Sequence, residues 1–410
     1  MTRSFGATRV VFNDFVARRN EVHTQGIRED FNDTRAKVLV HSKKTPERAW
    51  LKNYSAIALQ SSVQNAINGY LKFYKELEKK NTTGKTPRRI SPPKFKSKRS
   101  DQAATFRDKR FIKVNKLNKT FSETNIPRIG WVKCRDTRDL PAQPKSMTIS
   151  KDKTGAYYVS FHVEETLSES KVKIQAGERT IATGVDLGLI DLTTEASSDG
   201  TRRKTGNPRH LRQAERRLKI AQRRLSKKMK GSMRREKQRR ILAKQHKKVS
   251  NIRQDHLRKT AHRLSSENQV LALETLNVAG MVKNHRLAKS ISDASLATLV
   301  SYIKWSAEKQ FTEVRQIGRF EPTSQVCSQC GIQQGPKPLD IRVWQCPDCF
   351  EWLDRDFNAA LSILLAAGLA DSLNARGGDI RRSLAQAEES ASAMSSNADS
   401  DEARSHLTHL

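Results

Sequence analysis

Two Cys-x2-Cys pairs, Cys327 with Cys330 and Cys346 with Cys349, stand fifteen residues apart. No other feature restricts the local fold as strongly. Each pair makes a knuckle presenting two thiolates, and four soft ligands complete the tetrahedron that structural zinc prefers. A pair of disulfides is the alternative, but a 410-residue chain with 5 cysteines is not a disulfide-built secreted scaffold. A closed four-thiolate shell has no open position for substrate, so this zinc is expected to build structure and not to catalyse. Cys134 stands apart from the four and reads as a packed thiol rather than a nucleophile.

The charge is as lopsided as the cysteines are ordered. The chain carries 77 Lys+Arg against 43 Asp+Glu, a formal net charge of +34. Charge of this sign and size points to a polyanionic partner, nucleic acid above all, and says nothing about fold. The longest apolar run, Ile363 to Ala370, is far too short to span a bilayer, and the N-terminus has no apolar signal-peptide core. The expectation is a soluble intracellular protein. From Arg202 to Arg263 there are 25 Lys/Arg and three acids, Glu215, Glu236 and Asp255. Within that stretch Leu211, Ala214, Leu218, Ala221 and Leu225 recur at helical spacing. Gly231-Ser232 interrupts the pattern, and apolar residues resume at Met233, Ile241, Leu242, Val249, Ile252 and Leu257. This predicts a hairpin of two basic helices, each with one packed stripe. A solvated charged face is the bland alternative. Because the imbalance cannot be neutralised within the chain, a phosphate-backbone surface carrying Arg216, Arg217, Arg223 and Arg224 is the expectation, with sequence-tolerant, salt-dependent binding.

Before residue 180 the pattern changes. Residues 5–22 and 54–80 read as amphipathic helices, the second with Ile57, Val63, Ile67, Leu71 and Tyr74 on its apolar face. A Pro/Lys/Arg-rich linker follows over 81–102, then short strands over about 105–175, with a turn signal at Lys151 to Gly155 predicting a hairpin. The Ser/Ala/acid-rich end after Arg382 is expected to be disordered.

Three acids stand out by position. Asp186 ends the strand-like run Thr180 to Val185, Glu274 ends the apolar run Gln269 to Leu273, and Asp356 lies in DRDFNAA (354–360), which opens an apolar helix. Singly, Asp186 reads equally well as a turn residue, and Asp356 as a helix N-cap or a first-turn acid favoured by the helix dipole. Together, on a basic chain, they are the kind of set a two-metal nuclease needs, with hard oxygen ligands suited to magnesium or manganese.

These segments also resemble a known family. GVDLGLIDL (184–192), LALETLNVAGM (271–281), the cysteine segment 327–349 and DRDFNAA are similar to the TnpB family, transposon-encoded RNA-guided DNA endonucleases related to type V CRISPR effectors. FGATRVVFNDF (5–15), PPKFKSKR (92–99), IPRIGWVK (126–133), KSISDA (289–294) and SLNARGGDIR (372–381) extend the resemblance over roughly residues 5–382. It implies an α+β multidomain chain: a helical recognition lobe with basic linker over 1–104, a wedge-like β-barrel over 105–178, and a RuvC-like nuclease of the RNase H fold over 179–382. The nuclease would carry the basic helical insertion 202–264 and a zinc-ribbon insert 320–353, followed by the tail 383–410. Asp186, Glu274 and Asp356 would be the metal-binding acids. A guide RNA from the transposon end would select the double-stranded DNA target by pairing while the protein holds backbones. The implied setting is the cytoplasm of a prokaryote, at the nucleoid. Gln60, in the recognition-lobe helix, becomes a candidate contact to the flanking motif or else an ordinary solvent-facing residue, and Lys94, Lys96, Lys98 and Arg99 become candidate nucleic-acid contacts. Arg342 could reach a scissile strand or only the zinc segment's own backbone, and Asp354 could assist the site or cap the helix.

Two departures are visible. The GATR motif falls within the first ten residues, so the strand that usually precedes it in the family, and completes the barrel, is expected to be lacking. Phe350 follows the last zinc cysteine where glycine is usual, and a turn needing positive φ would make Phe unwelcome there. Functionally, an active endonuclease competes with a binding-only, repressor-like relative, and presence of all three acids favours the former. A CRISPR-locus effector would share the chemistry, whereas a strand-transfer transposase fits the carboxylate pattern poorly.

Overall fold

The computed structural model describes residues 1–83, 91–98, 101–136, 139–165, 181–319, 321–338 and 340–369, in two compact units, Met1–Thr166 and Leu167–Leu410. The tail 383–410 and the SLNARGGDIR segment lie outside the described residues.

The first unit opens with α1 (Thr2–Thr24), α2 (Phe31–Ala36) and α3 (Ala56–Thr83). Ala7, Val11 and Phe15 recur every fourth residue on α1 and meet Leu59, Val63 and Ala66 of α3 in one buried core. One of the five residues assigned to the apolar face of α3 does not belong to it: Leu71 is 51% exposed, whereas Tyr74, 39% exposed, stays on the stripe at the edge of the core. At 100° per residue Leu71 turns roughly 80° away from Val63, off the buried stripe. Tyr74 is left with ring contacts to Phe31, Tyr70 and Phe73.

The strands of this unit are β1 (Gln102–Phe106), β2 (Val114–Lys116), β3 (Phe121–Ile126), β4 (Gly130–Arg135), β5 (Ser146–Lys151) and β6 (Tyr157–His162). They form two antiparallel three-stranded sheets, ordered β1-β5-β6 and β2-β3-β4. The predicted hairpin joins β5 to β6. Asp152 accepts from the Thr154 and Ala156 backbone N–H groups at 2.9 and 3.1 Å, and Gly155 supplies φ +92°. Two expectations are corrected here. Among the described residues the ladders do not close into a barrel, because each sheet keeps free edges. Nor is the β-module separate from the helices, since Phe106, Ile126, Met147 and Ile149 share a buried cluster with Phe5 of α1 and Ala58 of α3. Cys134 is half-buried and donates to the Ser122 carbonyl at 3.3 Å, as expected of a packed thiol.

The second unit is built on β7 (Ala182–Asp186), β8 (Asp191–Ser197), β9 (Arg202–Gly206), β10 (Val270–Glu274) and β11 (Glu313–Ile317), with α4 (His210–Ser226), α5 (Met233–Glu267), α6 (Val278–Met281), α7 (Ala288–Ala294) and α8 (Leu296–Gln310) between them. Then come β12 (Val343–Gln345), β13 (Trp352–Asp354) and α9 (Arg355–Ala366). The five-stranded sheet runs β11-β10-β7-β8-β9. β7, β8 and β9 are antiparallel neighbours, whereas β10 and β11 are parallel additions on the other side of β7. This is the RuvC-like, RNase H core with helices on both faces. Strand alternation assigns those faces. Val185, Leu271 and Leu273 point to α5 and α8, where they pack with Leu257, Ala261, Leu264, Leu299 and Ile303. Ala182, Val270 and Ala272 point to α9 and meet Ile363 and Leu364.

The basic hairpin is α4 and the first half of α5. Leu218 and Ala221 pack on Leu242 and Val249, with Leu211, Ala214 and Leu225 beside them. The Ser232 side chain caps α5 by accepting from Arg235 N–H at 3.2 Å. α4 starts from Arg209 at φ +51°, without a cap of its own. Buried Asp293, from the KSISDA segment, takes the Leu211 and Arg212 N–H groups at 2.9 and 3.2 Å instead. Two corrections apply. Arg202–Gly206, expected within the helical insertion, is the edge strand β9. Met233, Ile241 and Ile252 are exposed, at 84%, 40% and 44%, because the single stripe of α5 facing α4 is already supplied by Leu242 and Val249. The second half of α5 turns its own stripe, from Leu257 to Leu264, onto the sheet. Among the described residues no helix is long and apolar enough to cross a membrane.

Candidate active site

β7 and β10 run parallel with Val185 opposite Leu273, so Asp186 and Glu274 sit one step further along, side by side at the strand ends. Alternation places both on the face covered by α9. There α9 comes unusually close, because Gly184 has no side chain: a Cβ would stand 2.0 Å from the Ala360 carbonyl oxygen. That approach sets Asp356, in the first turn of α9, above the two strand ends. Burial, with Glu274 and Asp356 adding negative charge beside it, pushes Asp186 up to about 7. Burial alone raises Glu274. Burial and mutual repulsion of this kind disfavour the charged carboxylates, so neighbouring positive charge would stabilise them.

Two cations face the acids. Lys204 of β9 donates to Asp354 Oδ2 at 2.9 Å and lies 3.6 Å from Asp356 Oδ2. Arg342, one residue before β12, donates to Asp356 Oδ1 at 3.2 Å while its carbonyl accepts from Arg355 N–H at 2.8 Å. Of the two roles open to Asp354, the structure has the cap: its Oδ1 accepts from the Asp356 and Phe357 N–H groups, both at 3.0 Å. Although burial opposes it, the Phe357 N–H and the Lys204 ammonium hold Asp354 below the usual carboxylate range.

The four cysteines lie beside this site. Their sulfurs all fall within 4.8 Å of one another, the one such group of ligands among the described residues. Cys327 to Cys349 and Cys330 to Cys346 are each 3.7 Å apart. A tetrahedron with zinc–sulfur bonds of about 2.3 Å has edges of roughly 3.8 Å, whereas a disulfide needs about 2.05 Å. The donor set therefore fits a structural zinc ion. Both knuckles end in a left-handed residue, Gly331 at φ +77° and Phe350 at φ +60°. Phe350 thus occupies the glycine-type turn its position in the sequence foretold, and its ring is 70% exposed. Asn358 of α9, fully buried, ties the first knuckle to the site: it accepts from Ser328 N–H at 2.8 Å and donates to the Val326 carbonyl at 2.7 Å.

The predicted nucleic-acid contacts divide. Arg216, Arg217, Arg223 and Arg224 are all exposed on α4. Gln60 is exposed on α3 and lines a cleft of about 1090 Å³ with Arg107, Lys109, Arg110 and Lys145. Lys94 and Lys98 are exposed. Lys96 is corrected: its ammonium rests 3.9 Å from the Phe12 ring centroid, and its backbone is held by Asn13 at 2.8 and 2.9 Å, so it packs the linker down. Arg99 lies outside the described residues. Sequence reasoning missed Lys204, whose only signal was its place in a short polar run, RRKTG, ahead of the first helical stripe.

Residues 161–285 match the family described as "Probable transposase", and residues 297–363 match the "Cas12f1-like, TNB domain". A protein of Streptomyces pristinaespiralis named "Putative RNA-guided DNA endonuclease" is 33% identical over 91% of this chain and 86% of its own length. The Escherichia coli K12 protein "Putative RNA-guided DNA endonuclease InsQ" is 29% identical over 89% and 88%. Among solved structures, a chain of the Cas12f1–sgRNA–target DNA complex superimposes with a TM-score of 0.50 at 12% identity, covering 88% of this chain and 81% of that one, a likeness of fold. With a relative this similar matched along nearly its whole length, the chain belongs to the TnpB family.

Proposed function

We propose that this protein is an RNA-guided DNA endonuclease of an insertion sequence, cutting double-stranded DNA beside a short flanking motif. The observation that carries the proposal is the placement of Asp186 and Glu274 side by side at the ends of two adjacent parallel strands, with Asp356 near enough to add to the burial that pushes Asp186 up to about 7. Hard carboxylate oxygens at the ends of buried strands fit magnesium or manganese. Asp186, Glu274 and Asp356 would hold two such ions, which would supply an activated water and stabilise the leaving oxygen. The chain's own residues do the rest. Asp186 and Glu274 are held rigidly by adjacent strands, and Asp356 is fixed by the capped start of α9. Lys204 and Arg342 bring positive charge to the place where a scissile phosphate would lie. The zinc knuckles, bound to α9 through Asn358, keep Arg342 and Asp356 in register.

In this reading Met1–Thr166 recognises the target's flank through the Gln60 cleft, and Leu167–Leu410 holds the nuclease. The basic hairpin grips nucleic-acid backbone without reading bases. A guide RNA from the transposon end supplies the sequence, and cutting serves retention of the element. The working place is the cytoplasm, on the nucleoid.

The test is coexpression of the chain with its flanking DNA, sequencing of the RNA that copurifies, and challenge of a plasmid carrying the matched target beside randomised flanks. Cutting at one flank sequence supports the reading. RNA and target binding with no cutting refutes the nuclease and leaves a binding-only relative; no copurifying RNA refutes guidance.

A further inference from the structure

On the face of the sheet opposite the three acids, α5 and α8 pack by Leu257, Ala261 and Leu264 against Leu299 and Ile303. Outside that seam they leave a groove of about 460 Å³, lined among others by Arg258, His262, Tyr302 and Trp305. Trp305 is 53% exposed. A large aromatic held half out of the core at a concave site calls for a partner, because burying it is among the larger single stabilisations a side chain can give.

Positive charge surrounds the two rings. Arg258 stacks over Tyr302 at 5.2 Å and Lys309 over Trp305 at 4.7 Å. Among the described residues neither cation pairs with a carboxylate. Two others on the rim are already engaged, Lys259 with Asp255 at 2.8 Å and Arg263 with Glu195 and Glu267 at 2.7 and 3.2 Å. Trp305, half exposed, and Tyr302, partly buried against the core, each carry over the ring a cation with no carboxylate partner, and rings and charges so combined match the two halves of a nucleotide, the base for stacking and the phosphate for charge. An apolar peptide would cover the rings and strand the cations. A paired duplex would present its phosphates but keep its bases out of reach. The groove lies across the sheet from Asp186, so a strand held in it is not the one at the acids.

We infer that the α5–α8 groove binds an unpaired stretch of nucleic acid, with one or two bases stacked on Trp305 and Tyr302 and the adjoining phosphates on Arg258 and Lys309. The inference goes beyond the nuclease reading and does not depend on cutting.

The full chain bearing Asp356→Ala, so that nothing is cleaved, is mixed with 5-iodouracil-substituted single strands of twelve nucleotides, one RNA and one DNA. It is irradiated, and the adducts are mapped by mass spectrometry. Affinity for the same strands is measured by anisotropy over a salt series for Trp305→Ala, Trp305→Phe and Arg258→Gln. Adducts are expected at Trp305 or Tyr302. Trp305→Ala should weaken binding roughly ten-fold with an unchanged salt slope, since the cations that meet the phosphates are all still present, while Trp305→Phe stays within about two-fold. Arg258→Gln should lower the salt slope by about 0.7. Whichever strand shows the effect identifies the occupant as RNA or DNA. Adducts confined to other residues, or affinity for both strands indifferent to Trp305→Ala in a variant with unchanged circular dichroism, would overturn the inference and leave the groove to a protein partner.

Discussion

Gly184 of β7 lies against Ala360 of α9 so closely that a Cβ built on it would stand 2.0 Å from the Ala360 carbonyl oxygen and 3.0 Å from the Leu364 backbone nitrogen. Both obstacles are backbone, so neither can rotate aside. Gly184→Ala is therefore expected to push α9 off the sheet, carrying Asp356 away from Asp186. Overpacking of this kind costs about 1–3 kcal/mol or more. The expected result is a lowered melting temperature together with loss of cleavage, and a variant that melts and cuts like the parent would show that α9 does not need this approach.

The acid at the end of the same strand gives a pH signature. Asp186 is held at about 7 when folded against 3.8 for an ordinary aspartate. A raised folded value means stability that is full below about pH 4 and is lost as pH rises through 7. Metal-free protein should thus lose stability over pH 4–7 more steeply than Asp186→Asn protein, and a divalent ion should restore it at neutral pH. Calorimetry in two buffers of different ionisation enthalpy should register proton release on metal binding below pH 7. Equal pH slopes for the two proteins would contradict the assignment.

Much of this is legible in the sequence, for identifiable reasons. An acid ending an apolar strand, or two cysteine pairs at fixed spacing, is a local pattern, and β7, β10 and the knuckles all stand where those patterns sit. Even Phe350 can be read, because a zinc knuckle imposes its backbone on whichever residue follows the cysteine. The misses are all matters of partner. Leu71 and Met233 fit helical periodicity, but nothing in one segment says where the opposing helix ends. Lys204 is hidden in a basic run because a strand of RRKTG carries no apolar alternation. Lys96 reads as free because its partner Phe12 is more than eighty residues away in sequence. The closed barrel fails similarly, since ladder closure depends on pairing between distant strands.

At the knuckles, Cys330→Ala should lower the zinc-to-protein ratio from one and destabilise the second unit. A ratio held at one would count against four-cysteine ligation. Phe350→Gly should do the reverse and raise the melting temperature, because a left-handed backbone costs a non-glycine residue about 1–2 kcal/mol.

The exposed face of α4 has its own test. Replacing Arg216, Arg217, Arg223 and Arg224 by Gln should weaken nucleic-acid affinity and flatten the dependence of log K on log salt, by about 0.9 for each duplex phosphate no longer neutralised. A slope identical to the parent's would mean that the hairpin only faces solvent.

Asp186, Glu274 and Asp356 are proposed to form the metal-dependent cutting centre together. The direct measurement is target cleavage by the purified ribonucleoprotein with magnesium, with chelator, and with each acid changed to alanine, alongside RNA content. Cutting that requires magnesium and disappears in Asp186→Ala, Glu274→Ala and Asp356→Ala, while RNA content stays constant, is the expected result. Full cutting in chelator, or full cutting by any one of the three variants, would contradict it.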